Sequence, residues 1–173
     1  MPKKRGYYRI ELPQRGYQTF AQPDYPYAFE YPVYGKLGKD SSVLRGQPGN
    51  PYWLNIDIEQ LGARIYLSYT PIRGGKTLAE LLEDSHFMTY YHTKRADYMD
   101  DRLFRNAYGV SGAVYEWGGD AASAYQFLAT DSVRHFVRGA LYFNVTPNAD
   151  SIRPAAQFLK ADLEHLLKTF RWQ

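Results

Sequence analysis

The stretch from Gly118 to Ser151, GGDAASAYQFLATDSVRHFVRGALYFNVTPNADS, decides the fold of this chain. It contains an apolar run over 125–129 and an alternating apolar and polar run over 135–145, and the alternating segment 111–117 precedes it. Turn-forming residues separate these runs, namely the Gly-Gly pair at 118–119 and a later Thr-Asp-Ser sequence. The pattern predicts a meander of three antiparallel strands.

Residues before the meander predict a β-hairpin. Apolar and polar residues alternate over 53–58 and again over 65–68, with a short turn near 60–62. Two alternating runs joined by a short glycine-containing turn are a good hairpin signal. A further strand is predicted over 27–34, and the Gly-, Asp-, Ser-, Asn- and Pro-containing stretch 35–51 is predicted to form a loop.

Two helices are predicted to cover the sheet. The first begins at the capping box Thr77-x-x-Glu80 and is expected to run to about Ala96. The second begins near Asp150 or Ser151 and has apolar residues at steps of three and four. This stripe consists of Ile152, Ala156, Leu159, Leu163, Leu166 and Phe170. The order of elements predicts an α+β fold, an antiparallel β-sheet with two main helices packed on it, similar to a PsbP-like domain.

Length and composition indicate one main folded domain. The chain has 173 residues, of which 45% are hydrophobic and 23% charged, as in ordinary globular proteins. We expect an N-terminal extended segment over 1–26, with a short strand over about residues 8–12, and a single α+β domain over 27–173. The net charge of +3 is spread evenly and no RNA-binding aromatic motif is present, which argues against a nucleic-acid module. The absence of cysteine excludes disulfides and thiolate chemistry in this chain.

Several segments, in order along the chain, resemble the gliding-motility lipoprotein GldD family. Besides the opening stretch they are AFEYPVYGKL (28–37), WLNIDIEQLGARIYLSYTPI (53–72), LLEDSHFMTYYHTKRAD (81–97) and FLKADLEHLLKTFRW (158–172). None of them is a functional signature alone, so the resemblance rests on their co-occurrence. It implies a non-enzymatic lipoprotein of the cell envelope, facing the periplasm, that works in gliding motility with the type IX secretion and adhesin machinery.

The resemblance also implies a membrane anchor and partners. Its members carry a lipid on a cysteine that follows a signal peptide, and the present sequence shows neither feature. We therefore expect this sequence to be the part of the protein that follows the anchor. The expected partners are other envelope proteins of gliding and secretion, and the resemblance carries over no functional residue.

No metal, cofactor or catalytic site is predicted. His86 and His92 are six residues apart and lack the i, i+4 spacing of a zinc pair. Asp97, Asp100 and Asp101 depart from the spacing of a calcium loop, and we expect them to cap and solvate the end of the first helix. No serine motif or carboxylate pair stands out, so an enzyme is not expected.

Two groups of residues are predicted as binding candidates. Arg134 and Arg138 share a face of one strand at period two, where guanidinium groups could meet a carboxylate or simply face solvent. The second group lies at the end of the first helix, where the helix dipole alone could account for the cations. It consists of Tyr90, Tyr91, His92, Lys94 and Arg95. Because tyrosine is abundant, with 17 copies, an alternative function is a periplasmic module that binds a glycan or peptide through surface Tyr and Trp.

Overall fold

The computed structural model describes residues 11–39, 52–72, 77–84, 96–119, 125–144 and 149–173. The strands are β1 Tyr17–Phe20, β2 Tyr27–Pro32, β3 Lys36–Lys39, β4 Leu54–Ile58, β5 Ala63–Pro71, β6 Ala96–Arg105, β7 Ser111–Gly119, β8 Tyr125–Thr130, β9 His135–Phe143 and β10 Arg171–Trp172. Helix α1 is described over 78–84, and helix α2 spans Ala149–Thr169. A 3-10 turn, Glu59–Leu61, joins β4 to β5.

The described strands form two antiparallel sheets. The large sheet has the order β3-β4-β5-β9-β8-β7-β6, and the small sheet has the order β1-β2-β10. The predicted meander is confirmed as β7-β8-β9, and the predicted hairpin is confirmed as β4-β5. Strand β9 pairs with β5 along its whole length, which joins the meander and the hairpin into one sheet.

The end of the first helix was predicted wrongly. Ala96 does not close a helix; it opens β6, a ten-residue strand that pairs antiparallel with β7 at the edge of the large sheet. Asp100 and Asp101 therefore lie in a strand and do not solvate a helix end. Their charge is compatible with this position, because exposed edge strands commonly carry charged residues. The pair at 118–119, predicted as a turn, belongs to the end of β7 and pairs with β6.

Two further short strands lie where the sequence pattern gave no strand signal. Residues Tyr17–Phe20 form β1, which pairs with β2, and Lys36–Lys39 form β3, which pairs with β4. Strand β3 corrects the start of the loop predicted over 35–51. The division of the chain at residue 27 stays a prediction.

Helix α2 packs its apolar stripe between the two sheets. Leu159, Leu163 and Leu166 are fully buried in one core with aromatic side chains of β2 and apolar side chains of the large sheet. Ala155 is buried in the second turn, where the sequence had favoured Ala156. Burying a leucine side chain contributes about 1.5–3 kcal/mol, so this stripe is a main source of stability.

Helix α1 lies on the opposite face of the large sheet. Its capping box forms as predicted: the Thr77 N–H donates to Glu80 Oε2 at 2.7 Å, and the Glu80 N–H donates to Thr77 Oγ1 at 3.3 Å. Leu81 packs there against Leu128 and Phe136. We call this side of the large sheet, which α2 does not cover, the second face.

Candidate functional sites

The two predicted arginines occupy different environments. Arg134 lies in the turn before β9 and its side chain is exposed, whereas Arg138 lies within β9 and is half-buried. Arg138 Nη2 donates a hydrogen bond to Gln126 Oε1 at 2.7 Å. The other predicted binding residues, Tyr90, Tyr91, His92, Lys94 and Arg95, lie outside the described residues.

Asp131 fixes the turn that presents Arg134. Its Oδ1 atom accepts the backbone N–H groups of residues 133, 134 and 135 at 3.0, 2.8 and 2.9 Å. Ser132 in the same turn has a φ of 67°, a left-handed conformation that is uncommon for residues with a Cβ. Burial acts to raise the pKa of the Asp131 carboxyl, but the backbone N–H groups of His135, Arg134 and Val133 hold it below its usual value. The charged carboxylate is thus part of the turn.

A cleft that the sequence did not reveal lies between β6 and α2. Its volume is about 410 Å³, which is within the range of small-molecule sites. Apolar lining comes from Phe104 on β6 and from Ala161 and Leu167 on α2. The polar residues of the lining are Tyr17, Arg102, Arg105, Asn106, Glu164, His165 and Lys168. These residues come from distant parts of the chain, so no local sequence signal could have grouped them.

The charged side chains that line this cleft give its rim a net positive charge. Glu164 is neutralised inside the cleft, because it accepts hydrogen bonds from Arg102 and, at 2.8 Å, from the Tyr125 hydroxyl. Within the described contacts, Arg105 and Lys168 have no carboxylate partner. The cleft therefore offers an apolar floor with a cationic edge, which fits a ligand that carries both apolar and anionic groups.

The N-terminal part of the described chain is tied to α2 by a buried carboxylate. Asp162 accepts hydrogen bonds from Arg15 Nη1 at 2.6 Å, from the Tyr17 hydroxyl at 2.9 Å and from the Tyr34 hydroxyl. Tyr17 also stacks on His165, with ring centroids 3.6 Å apart. We call these contacts, made by Arg15, Tyr17 and Tyr34 to α2, the N-terminal latch. It attaches the start of the small sheet to the central helix.

Most described tyrosines serve the core. Tyr27 is fully buried, and its ring contacts Phe29 and Phe170 at 6.0 and 5.6 Å between centroids. Burial raises the pKa of its hydroxyl far above the usual value. Among the described tyrosines, Tyr108 is exposed, with 58% of its surface accessible. The abundance of tyrosine is thus explained in large part by packing.

The described residues provide neither a metal site nor a membrane-spanning helix. They contain no group of three His, Cys, Asp or Glu side chains placed to hold a metal ion. Within the described part of the chain, no helix is both long and apolar enough to cross a membrane.

A solved structure has the same architecture. The solution structure of cyanobacterial PsbP (CyanoP) from Synechocystis sp. PCC 6803 is similar to this chain with a TM-score of 0.51 and 14% sequence identity. The similarity covers 94% of this chain and 95% of that one. It shows the fold alone, and it confirms the predicted class: a PsbP-like α+β domain.

The family follows from a separate comparison. A search of curated proteins finds no match. The sequence model described as "Gliding motility lipoprotein GldD" matches residues 1–172. The chain therefore belongs to the GldD family of gliding motility lipoproteins, and the predicted resemblance is confirmed. It is a lipoprotein of the cell envelope associated with gliding motility.

Proposed function

We propose that this domain is a non-enzymatic, periplasm-facing assembly component that contacts other envelope proteins of the gliding and type IX secretion machinery. The observation that carries the proposal is the family match over essentially the whole chain. A lipid at the N-terminus supplies the membrane attachment, and the folded domain supplies the protein contacts. For the lipid to anchor the folded domain, the N-terminal segment between them has to be attached stably to the domain.

The N-terminal latch supports that division. Asp162 has a side chain with no exposed surface, and it bonds residues 15 and 17 close to the point where the described chain begins. Hydrogen bonds to a charged group contribute about 1.5–3 kcal/mol each, more than neutral ones. A pull on residue 15 or 17 therefore acts on α2 as well as on the pairing of β1 with β2.

Site-specific photo-crosslinking in cells tests the proposal. A photoreactive amino acid placed at Leu103 or Val133 samples exposed apolar positions, because their side chains are 86% and 56% accessible. Val33, which is 53% accessible in the turn that follows β2, is the matched control on another side of the molecule. We expect adducts with other gliding or secretion proteins from at least one of the two test positions. Adducts from none of the three positions in gliding cells would contradict an assembly role.

A ligand-binding function is the second candidate, and the cleft between β6 and α2 favours it. Tyr17 and Phe104 provide aromatic surface there, and Arg105 and Lys168 provide cationic groups. Aromatic rings beside cations suit glycan or peptide ligands. Titration with cell-wall glycopeptide fragments, followed by chemical shifts of residues 102–106, tests it. A saturable change supports this function, and unchanged spectra would contradict it.

A further inference from the structure

A donor-rich site lies on the second face of the large sheet. In the register of the strands, Gln126 of β8 lies between Ala140 of β9 and Tyr115 of β7. Arg138 lies opposite Leu128, so its bond to Gln126 runs diagonally along β9. The short side chain of Ala140 gives the arginine room to extend in that direction. The guanidinium thus reaches the middle of the face.

A buried hydrogen-bond donor of this site lacks an acceptor among the described residues. A guanidinium has five N–H donors and no acceptor, so its contact with Gln126 has to use the amide oxygen. This orientation leaves the Gln126 Nε2 group as another donor, and that atom is buried without a hydrogen-bond partner. The whole Gln126 residue is only 1% exposed. Buried polar groups are normally paired, so an unpaired donor beside an arginine points to a missing acceptor.

The part of the site that the structure describes also lacks a negative charge. Among the described residues, no carboxylate pairs with Arg138. Asp57 of β4 is engaged by Arg64, and Asp101 lies on β6, two strands away from Gln126. Burial of the guanidinium lowers the pKa of Arg138, as expected for a cation that is desolvated without a counter-ion. Such burial costs free energy unless an anion accompanies it.

We propose that Arg138 and Gln126 form a binding site for a carboxylate group, supplied by a small molecule or by an acidic side chain of a partner protein. One carboxylate oxygen accepts from the guanidinium and the other accepts from Gln126 Nε2. Charge-assisted bonds of this kind are short and strong, and arginine prefers planar carboxylates. The site goes beyond the assembly role and does not depend on it.

Side-chain NMR of the purified protein tests the proposal directly. The resonances to follow are the Nε–H group of Arg138 and the side-chain amide of Gln126. Sodium acetate is the small-molecule probe, and sodium chloride at equal ionic strength is its control. Saturable shifts of both resonances with acetate alone are expected. Absence of a shift, or equal shifts with chloride, would overturn the proposal.

A second arm distinguishes the two sources of the carboxylate. The tripeptide Ac-Gly-Glu-Gly-NH2 is titrated against Ac-Gly-Gln-Gly-NH2, which has the same size without the charge. Saturation by the glutamate peptide at lower concentration than acetate supports a protein partner. Saturation by acetate at equal or lower concentration supports a small carboxylate. A response to both peptides alike would overturn the proposal.

Variants separate binding from a purely structural role. Arg138→Met should abolish the acetate response while the denaturation midpoint stays unchanged or rises, because a half-buried cation without a described carboxylate partner is replaced by an apolar chain. Arg134→Met, in the exposed turn, is the matched control and should retain the response. Gln126→Glu should block acetate binding and raise the midpoint, since it supplies the carboxylate from within. A lowered midpoint in both Arg138→Met and Gln126→Glu would overturn the proposal.

Discussion

Two glycines of the large sheet differ sharply in the space around them. A Cβ atom on Gly139 in β9 would lie 2.2 Å from ring atoms of Phe127, whereas a Cβ on Gly38 in β3 would meet nothing within 4 Å. The Phe127 ring is itself buried and cannot move aside without disturbing the core. Glycine at 139 is therefore required by packing between β8 and β9.

We expect Gly139→Ala to lower the free energy of unfolding by about 1–3 kcal/mol, the usual cost of overpacking a core. Gly38→Ala is the control and should be neutral or stabilising by up to about 1 kcal/mol, through reduced freedom of the unfolded chain. Urea denaturation followed by circular dichroism measures both. Equal effects of the two substitutions would show that the close approach to Phe127 relaxes freely.

The turn at Asp131 gives a prediction about pH. The pKa of its carboxyl is lower in the folded protein than the value of about 3.9 in an unfolded chain. The folded state therefore binds the proton less tightly, and the stabilisation is complete above about pH 4 and lost as pH falls through the folded pKa. Asp131→Asn should destabilise the protein by about 1 kcal/mol at neutral pH, because charged acceptors give stronger hydrogen bonds. Denaturation midpoints at several pH values should show this difference shrinking in acid; a constant difference would contradict the assignment.

Local hydrogen bonds of single residues could be predicted from the sequence, but the burial of their side chains could not. The capping box of Thr77 and Glu80 follows from two residues three positions apart, and the structure forms it. Arg138 was recognised as a strand arginine, but its burial depends on neighbouring strands that approach from elsewhere in the chain. Its partner Gln126 had no sequence signal, since a single glutamine in an apolar run is not a motif.

Secondary-structure elements were also predictable where their signal is local, and not where it depends on a distant neighbour. The β4-β5 hairpin was predictable because its alternation and its turn lie within one short window of residues. Strand β6, ADYMDDRLFR, was not predicted, because neither of its faces is uniformly apolar. Met99 and Leu103 point to the second face and are exposed, while Arg102 points toward α2. An edge strand receives its structure from the neighbour that pairs with it, and no single-segment pattern contains that information.

The N-terminal latch predicts how β1 is held to α2. Asp162→Asn removes the charge that three donors share, and we expect a loss of about 2–4 kcal/mol, because removing one partner of a buried pair leaves the others poorly satisfied. Asp57→Asn is the matched control: the Asp57–Arg64 pair is about one-third exposed, and its loss should cost at most about 1 kcal/mol.

Hydrogen exchange together with chemical denaturation measures the latch. In Asp162→Asn the backbone amides of 17–20 should exchange faster, while the amides of β5 and β9 should keep their protection relative to global unfolding. Unchanged exchange at 17–20 would show that strand pairing with β2 alone holds the segment.

At the scale of the whole molecule, α2 unites the two sheets. One continuous core contains Phe29 of the small sheet, Ile65 of the large sheet and the α2 leucines. The structural similarity to cyanobacterial PsbP covers 94% of this chain. This coverage indicates that the arrangement is a property of the fold and not of one family. Because the sheets share a core, they should lose their structure together.

Two tryptophans allow this cooperativity to be measured. Trp53 donates its indole N–H to the Tyr69 carbonyl of β5 at 2.8 Å and reports on the large sheet, whereas Trp172 lies in β10 of the small sheet. Variants that retain only one of these indoles, with the other tryptophans replaced by phenylalanine, should give coincident urea transitions. Leu163→Ala, at a fully buried position of α2, should shift both transitions equally and lower the free energy of unfolding by about 2–5 kcal/mol. Leu103→Ala, at an exposed position, should leave both in place. Trp172 also stacks on His135 of β9, with ring centroids 4.9 Å apart, so an earlier transition at Trp172 would show that β10 separates from the large sheet before that sheet unfolds.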